Sequence, residues 1–257
     1  MNILFIGDIV GASGRKVVTE LLPGLMKKHE IDLVIANGEN SAHGKGITKK
    51  IYQSLISLGI DVITMGNHTF SKSEILEYME YLPNMIRPAN LIPTEPGKPA
   101  IVVDCKGLKV GVFNLCGKVF MDNCSESPFT TMERLLSEYP CDVHFVDIHA
   151  EATGEKIAFM RYFKDRLEVV VGTHTHVQTA DEMIADGCAY ITDAGMCGAY
   201  ESVLGRDIRE TLTRMLTEEK TKYTVADNPG IFCGVKVCID ESTHRAVHIE
   251  RIQIRPE

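Results

Sequence analysis

Five segments of the chain carry residue types that hold metal ions or move protons, and all five share one setting. Asp8 follows the apolar run ILFIG, Glu39 and Asn40 follow LVIANG, and Asn67 and His68 follow VITMG. His149 follows VHFVDI, and His174 and His176 follow VVVGT. Each run has the length and β-branched content of a strand, so each of these residues stands at or just past the carboxyl end of an expected strand. Ligands of open α/β sheets bind outside those ends, which lets side chains far apart in sequence meet. Asp, Glu, Asn and His without Cys form a hard-to-borderline donor set, suited to iron, manganese, zinc or cobalt in an open catalytic geometry. The seven candidate ligands Asp8, Glu39, Asn40, Asn67, His149, His174 and His176 are too many for one ion with an open position. Two cations sharing a bridging carboxylate fit better.

Taken singly, every segment has an ordinary reading. Asp8 could cap the helix that follows it, Glu39-Asn40 and Gly66-Asn67-His68 could be solvated turns, and His149 could be a satisfied histidine at the edge of a core. His174-x-His176 is the most specific local signal, because residues i and i+2 of an extended chain point to one side. Those ordinary readings are independent of one another, whereas a single metal site accounts for all of them.

The elements that must position these residues alternate along the chain. Strands are expected over 2–7, 32–36, 61–65, 100–104, 109–115, 142–148, 168–172, 188–192, 231–239 and 246–254. Several are continuous apolar runs, the pattern of strands covered on both faces. Val17, Val18, Leu21, Leu22 and Leu25 have helical spacing, with Pro23 expected to kink or end that helix. Thr48 is placed to cap a helix bearing Ile51, Leu55 and Leu58, and Ser71 with Glu74 forms a capping box before Ile75, Leu76 and Met79. Further helices are expected near 129–138, 155–165 and 207–218, and Pro93–Pro99 reads as a loop. Strand–helix alternation in the first half implies a largely parallel α/β sheet. Gly230, Gly234 and the long final run imply antiparallel or mixed pairing in the last third. No repeat or linker divides the 257 residues, which read as a single domain over 1–257.

Composition narrows the function classes. The net charge of −8 gives no footprint for duplex nucleic acid or an anionic membrane, so a phosphate ligand must be held by something other than a basic surface. No apolar window reaches the length of a membrane span, and the opening MNILFIGD lacks a basic leader and a cleavage site. Cys105, Cys116, Cys141, Cys188, Cys233 and Cys238 sit in or beside strand-like runs without a C-x-x-C pair, which reads as buried thiols in a reducing compartment. A cytoplasmic location is the expectation.

In motif order the chain resembles the calcineurin-like metallophosphoesterases. There is an Asp after the first strand, an acid after the second, Gly-Asn-His after the third, a lone His, and then Gly-x-His-x-His. The stretches GDIVGASGR, NGEN, GNHTF and GTHTH look closer still to the YmdB-type bacterial branch, whose members are similar to 2′,3′-cyclic-nucleotide 2′-phosphodiesterases. The resemblance implies an αββα sandwich of two mixed β-sheets flanked by helices. It places Asp8, Glu39, Asn40 and His176 on one cation and Glu39, Asn67, His149 and His174 on the other, with Glu39 bridging. The chain departs from the wider superfamily at Val10, where Asp-x-His is usual; the resemblance implies that Asn40 fills that place and that Glu39 replaces a bridging Asp. Iron is the implied metal, with manganese as an activator.

The implied reaction is a phosphodiester hydrolysis of a small cyclic nucleotide. A hydroxide shared by two cations would attack phosphorus in line, and His68, left free of metal, would protonate the leaving 2′-oxygen to give a nucleoside 3′-phosphate. The glycine-rich stretches Ser41–Gly46 and Gly195–Arg206 are placed to border the cleft, with His43, Lys45, Tyr200 or Arg206 near the substrate. A phosphomonoesterase or protein phosphatase on the same residues stays open, as does a regulatory RNA- or partner-binding protein that retains the metal cluster. A homo-oligomer is also left open. A dinucleotide-binding oxidoreductase ranks low, since residues 7–14 do not read G-x-G-x-x-G and the His-rich second half would be unexplained.

Overall fold

The computed structural model describes residues 1–217 and 219–257. In chain order its first half runs β1 (Asn2–Ile6), β2 (Asp8–Ile9), α1 (Gly11–Lys28), β3 (Leu33–Asn37), α2 (Lys49–Ser57), β4 (Val62–Thr64) and α3 (Ile75–Tyr78). It continues with β5 (Ala100–Cys105), β6 (Leu108–Cys116), α4 (Pro128–Glu138), β7 (Val143–His149), α5 (Thr153–Phe163) and β8 (Val169–Thr173). The remainder comprises β9 (Met183–Ala185), β10 (Cys188–Ile191), β11 (Met196–Ala199), α6 (Ile208–Thr217), β12 (Gly230–Ile239) and β13 (Ala246–Ile254).

Two mixed sheets face each other. One has the order β2-β11-β12-β1-β3-β4, with β13 on β12, and the other the order β5-β6-β7-β8-β10-β9. The centre of each is parallel: β1 with β3 and β3 with β4 in the first sheet, β6 with β7 and β7 with β8 in the second. Strand alternation sends neighbouring side chains into different layers. Ile3 and Phe5 enter the layer between the sheets with Ile35, Val112, Phe145 and Val171, where the Phe5 and Phe145 rings lie 5.5 Å apart. Leu4 and Ile6 face the opposite way, into a layer with Val18, Leu22 and Leu25 of α1 and Leu55 of α2. On the far side of the second sheet, Phe113, Val146 and Ile148 meet Met132 and Leu135 of α4 and Phe159 and Phe163 of α5. Three apolar layers between helix, sheet, sheet and helix make an αββα sandwich, and burying each large side chain contributes about 1.5–3 kcal/mol. It differs from the single doubly wound sheet of the dinucleotide-binding alternative.

Several local expectations need correction. Pro23 neither ends nor breaks α1, which continues to Lys28. Pro23 and Thr19, whose carbonyl loses its partner, are both exposed, so water can replace the bond while Leu22 and Leu25 hold the buried face. The Ser71–Glu74 capping box does not form; α3 begins at Ile75 with Glu74 at its N-cap and no side-chain capping bond. Thr48 does cap α2, its hydroxyl accepting the Ile51 N–H at 3.3 Å. In the first half β1, β3 and β4 pair in parallel as expected, but β5 and β6 fall in the second sheet and pair antiparallel through Lys106 and Gly107, both at positive φ. Strands β2, β9 and β11 were not anticipated. The helix expected over 207–218 spans Ile208–Thr217, and residue 218 lies outside the described residues. All eight cysteines are free thiols; Cys105, Cys116, Cys188 and Cys233 are buried, whereas Cys141 and Cys238 are only partly so. Among the described residues no helix is long and apolar enough to cross a membrane.

Candidate metal centre

The carboxyl ends of β1, β3 and β4 in one sheet and of β7 and β8 in the other open onto the same end of the sandwich. Asp8 opens β2, just past β1, where its N–H donates to Gly195 O at 3.0 Å. Glu39 and Asn40 sit in the turn after β3, fixed by two bonds: Asn37 Oδ1 accepts the Glu39 N–H at 3.1 Å, and Asn40 O accepts the Gly11 N–H at 3.0 Å. Asn67 and His68 follow Gly66, where the approach is too close for any side chain. A Cβ there would stand 2.3 Å from Glu39 Oε2 and 2.4 Å from His149 Nε2.

Three of the expected ligands converge on a fourth, at His149 Nε2. Glu39 Oε1 lies 3.1 Å from it, Asn67 Oδ1 2.9 Å and His174 Nδ1 3.0 Å. Glu39, His149 and His174 each offer a ligand atom within 4.8 Å of the other two. The remaining three adjoin this group. His176 Nε2 lies 3.2 Å from Asn40 Oδ1, whose orientation is set because Asn40 Nδ2 donates to Gly44 O at 3.0 Å. Asp8 Oδ2 accepts the His174 N–H at 3.2 Å, and Asp8 Oδ1 is 4.0 Å from His149 Nδ1. That Oδ1 is buried and has no hydrogen-bond partner. An orphaned carboxylate oxygen costs about 1–3 kcal/mol or more. Beside a cluster of imidazole, amide and carboxylate lone pairs, it fits a cation-binding site.

The two histidines after β8 reach the cluster by a different route from the extended pairing expected of them. β8 ends at Thr173, and His174 and His176 adopt positive φ of 99° and 65°. Such backbone costs about 1–3 kcal/mol per residue and persists only where its surroundings enforce it. Here a buried ion pair does so. Lys156 Nζ donates to Thr173 O at 2.7 Å and to Asp193 Oδ2 at 3.0 Å, and the same Oδ2 accepts the Thr175 N–H at 3.0 Å.

Charge in the cluster is divided sharply. Burial pushes the Asp8 carboxyl from 3.8 up to about 6, against the pull of His176 and His149. Burial would raise Glu39 as well, yet the charge and hydrogen bond of His149, with His68, bring it down to about 2. His149 moves the other way, to about 9, because Glu39, Asp8 and Asp147 outweigh its own burial. Burial and the neighbouring His149 press His174 down to about 3. Burial also lowers His68. Without a cation, Glu39 and His149 therefore form the central ion pair, and a cation would take over the imidazolium's role as counter-charge.

Alongside these residues runs a cleft of about 510 Å³. His68, Lys45 and Arg206 line it, together with Glu151, Leu204 and Tyr223. Of the four residues named beforehand near the substrate, Lys45 and Arg206 are on its walls, whereas His43 and Tyr200 are not. The Gly195–Arg206 stretch is also not merely a loop, since it contains β11. Glu151, whose Oε2 lies 3.0 Å from His174 Nε2, was missed, as were the buried Asp147, Lys156 and Asp193. Glu151 and Asp147 each stand two residues from His149, a signal that could have found them; Lys156 and Asp193 carry none.

Two mixed sheets between helices give the chain a metallophosphoesterase-type fold, with an Asp-Glu-Asn-His cluster at the strand ends. The YmdB-like protein family matches residues 4–252. The chain belongs to that family. It is 46% identical over 260 residues to the 2′,3′-cyclic-nucleotide 2′-phosphodiesterase of Bacillus subtilis strain 168, covering 100% of this chain and 98% of that protein. A crystal structure described as a novel phosphatase of Mycoplasma pneumoniae superposes with a TM-score of 0.94 at 34% identity, covering 99% of this chain and 93% of that one. A crystal structure of a hypothetical protein from Thermus thermophilus gives 0.93 at 35% identity, covering 99% of both chains.

Proposed function

We propose that this chain is a metal-dependent phosphoric diester hydrolase that opens 2′,3′-cyclic nucleotides to nucleoside 3′-phosphates. The observation that carries the reading is the meeting of Glu39, Asn67 and His174 around His149 Nε2, beside the unpartnered Asp8 Oδ1. Full-length similarity to the Bacillus subtilis phosphodiesterase supports the substrate class.

Asp8, Glu39, Asn40 and His176 would hold one cation and Glu39, Asn67, His149 and His174 a second, with Glu39 shared; iron is the proposed metal and manganese an activator. Bound there, two cations supply Lewis-acid charge and a nucleophilic hydroxide near neutral pH. The chain's own groups do the rest. His68 faces the cleft, held by its backbone N–H to Glu39 and with Ser71 Oγ 3.5 Å from its Nδ1. Its imidazolium form gives a proton to the ribose 2′-oxygen as the bond from that oxygen to phosphorus breaks. A water oxygen adds to phosphorus, and the 3′-ester bond survives. Lys45 and Arg206 orient the phosphate. Neither has a carboxylate partner among the described residues, and the Arg206 guanidinium donates to the backbone carbonyls of Gly44 and Tyr223, at 3.0 and 3.1 Å.

Similarity to a protein described as a phosphatase favours a second reading, phosphomonoester hydrolysis on the same residues. Purified protein supplied with Fe²⁺ or Mn²⁺ should convert 2′,3′-cyclic AMP to 3′-AMP faster than it cleaves 3′-AMP or p-nitrophenyl phosphate. Formation of 2′-AMP, or turnover of the monoesters alone, would overturn the diesterase assignment.

A further inference from the structure

The layer between the sheets is apolar except at its cleft end, where one buried carboxylate bridges the two sheets. Asp147 of β7 is fully buried and two residues before His149. Its Oδ2 accepts the Thr64 hydroxyl at 2.5 Å and the Asn37 amide at 3.0 Å, both from the strand ends of the opposite sheet. Its Oδ1 accepts the Thr173 hydroxyl at 2.7 Å. The amide orientation of Asn37 is fixed independently, because its Oδ1 already accepts the Glu39 N–H.

These bonds leave Thr173 a single role toward its other neighbour. A hydroxyl has one proton, and that of Thr173 goes to Asp147. Toward His149 Nδ1, 2.9 Å away, Thr173 Oγ1 offers only a lone pair, so Nδ1 must carry the hydrogen. With Nδ1 protonated, a cation that replaces the Nε2 proton finds the imidazole lone pair on Nε2, the nitrogen on which Glu39, Asn67 and His174 converge. We infer that Asp147 is a positioning residue that acts through the Thr173 hydroxyl to keep the His149 proton on Nδ1 and turn Nε2 to the cation. Through Asn37 the same carboxylate sets the backbone of Glu39, so one group aligns ligands from both sheets. The inference rests on the metal-centre reading and adds the residue that selects the ligating nitrogen.

The substitution Asp147→Asn has a definite consequence. Its carboxamide oxygen would stay toward the two donors Thr64 and Asn37, placing its NH₂ against Thr173. Thr173 must then accept that bond and donate its own proton to His149 Nδ1, which moves the imidazole hydrogen to Nε2. An Asp-to-Asn exchange next to a catalytic imidazole is known to invert the tautomer while leaving the ring in place.

The test is Mn²⁺ titration of the wild-type protein and of Asp147→Asn, Thr173→Ser and Thr173→Val, each checked for folding by near-ultraviolet circular dichroism. Asp147→Asn and Thr173→Val should bind one of the two Mn²⁺ ions, the one on His149, about 10–100-fold less tightly, whereas Thr173→Ser, which keeps the hydroxyl, should match wild type. Imidazole ¹⁵N spectra of the Zn²⁺-loaded wild type should show the His149 N–H on Nδ1. Folded Asp147→Asn with wild-type Mn²⁺ affinity would overturn the inference; if that variant does not fold, Thr173→Val binding as well as Thr173→Ser would do so. Wild-type protein that takes up no Mn²⁺ would remove the metal-centre reading itself, and this inference with it.

Discussion

The backbone N–H of His68 donates to Glu39 Oε2 at 2.8 Å, so the loop after β4 is tied to the acid after β3 without help from the imidazole. His68→Ala keeps that bond. The variant should retain wild-type cation content, measured by atomic emission, while its kcat for 2′,3′-cyclic AMP falls about 10²–10⁴-fold, the usual worth of a general acid. Full activity would remove His68 from proton transfer, and loss of cations would recast it as a structural element of the centre.

Asp8 should make the metal-free protein less stable as it ionises. Its folded pKa of about 6 lies above the ordinary 3.8, so its contribution is fully present below pH 4 and is lost as pH rises through 6. A rise of that size is worth about 3 kcal/mol. Asp8→Asn, which is neutral at every pH, should therefore unfold in urea at the same free energy as chelator-treated wild type near pH 3.5. Near pH 7.5 it should be more stable by up to about 3 kcal/mol, and it should bind one cation poorly. Equal stability at both pH values would show that the buried oxygen bears no cost.

Lys156 should matter to the centre although it touches no candidate ligand side chain. Its ammonium is buried, and Lys156→Met leaves Asp193 as an unpaired buried charge, a change that costs about 3–5 kcal/mol. It also releases Thr173 O, an anchor of the positive-φ backbone at His174 and His176 beside those that Asp8 and Asp193 supply. Urea unfolding should report the destabilisation, and Mn²⁺ affinity should fall with it. A variant as stable as wild type would show that the strained backbone has other support.

Gly66 tests the closeness of the cluster. In Gly66→Ala the added carbon would collide with both Glu39 and His149, so both side chains, or the backbone at 66, must move. Overpacking of this kind typically costs about 1–3 kcal/mol, and cation uptake should fall far more than in His68→Ala. Normal cation content in a folded Gly66→Ala protein would mean that these two side chains are not fixed as the structure has them.

Much of this architecture can be read in the chain because strands buried on both faces are written as apolar runs. The runs ending at Asp8, Glu39, Asn67, His149 and His174 mark both the sheets and the points where chemistry can gather. Other parts leave no such trace. β2 and β11 are short and each follows a glycine, and nothing in a periodic pattern marks them. Asp147 lies inside an apolar strand, 110 residues from Asn37, and Lys156 sits in a helix where a lysine normally faces water. Their partners exist only after the chain has folded, so pairwise satisfaction of buried polar groups could not be inferred beforehand. That Pro23 does not end α1 has a different reason: solvent on that face of the helix can satisfy the carbonyl it leaves free.

The claim beneath these expectations is that side chains from five segments hold two cations with Glu39 between them. Anomalous diffraction from Mn²⁺-soaked crystals tests it most directly. Two peaks are expected, both in contact with Glu39, one completed by Asp8, Asn40 and His176 and the other by Asn67, His149 and His174. A single peak, or two that do not share Glu39, would contradict it.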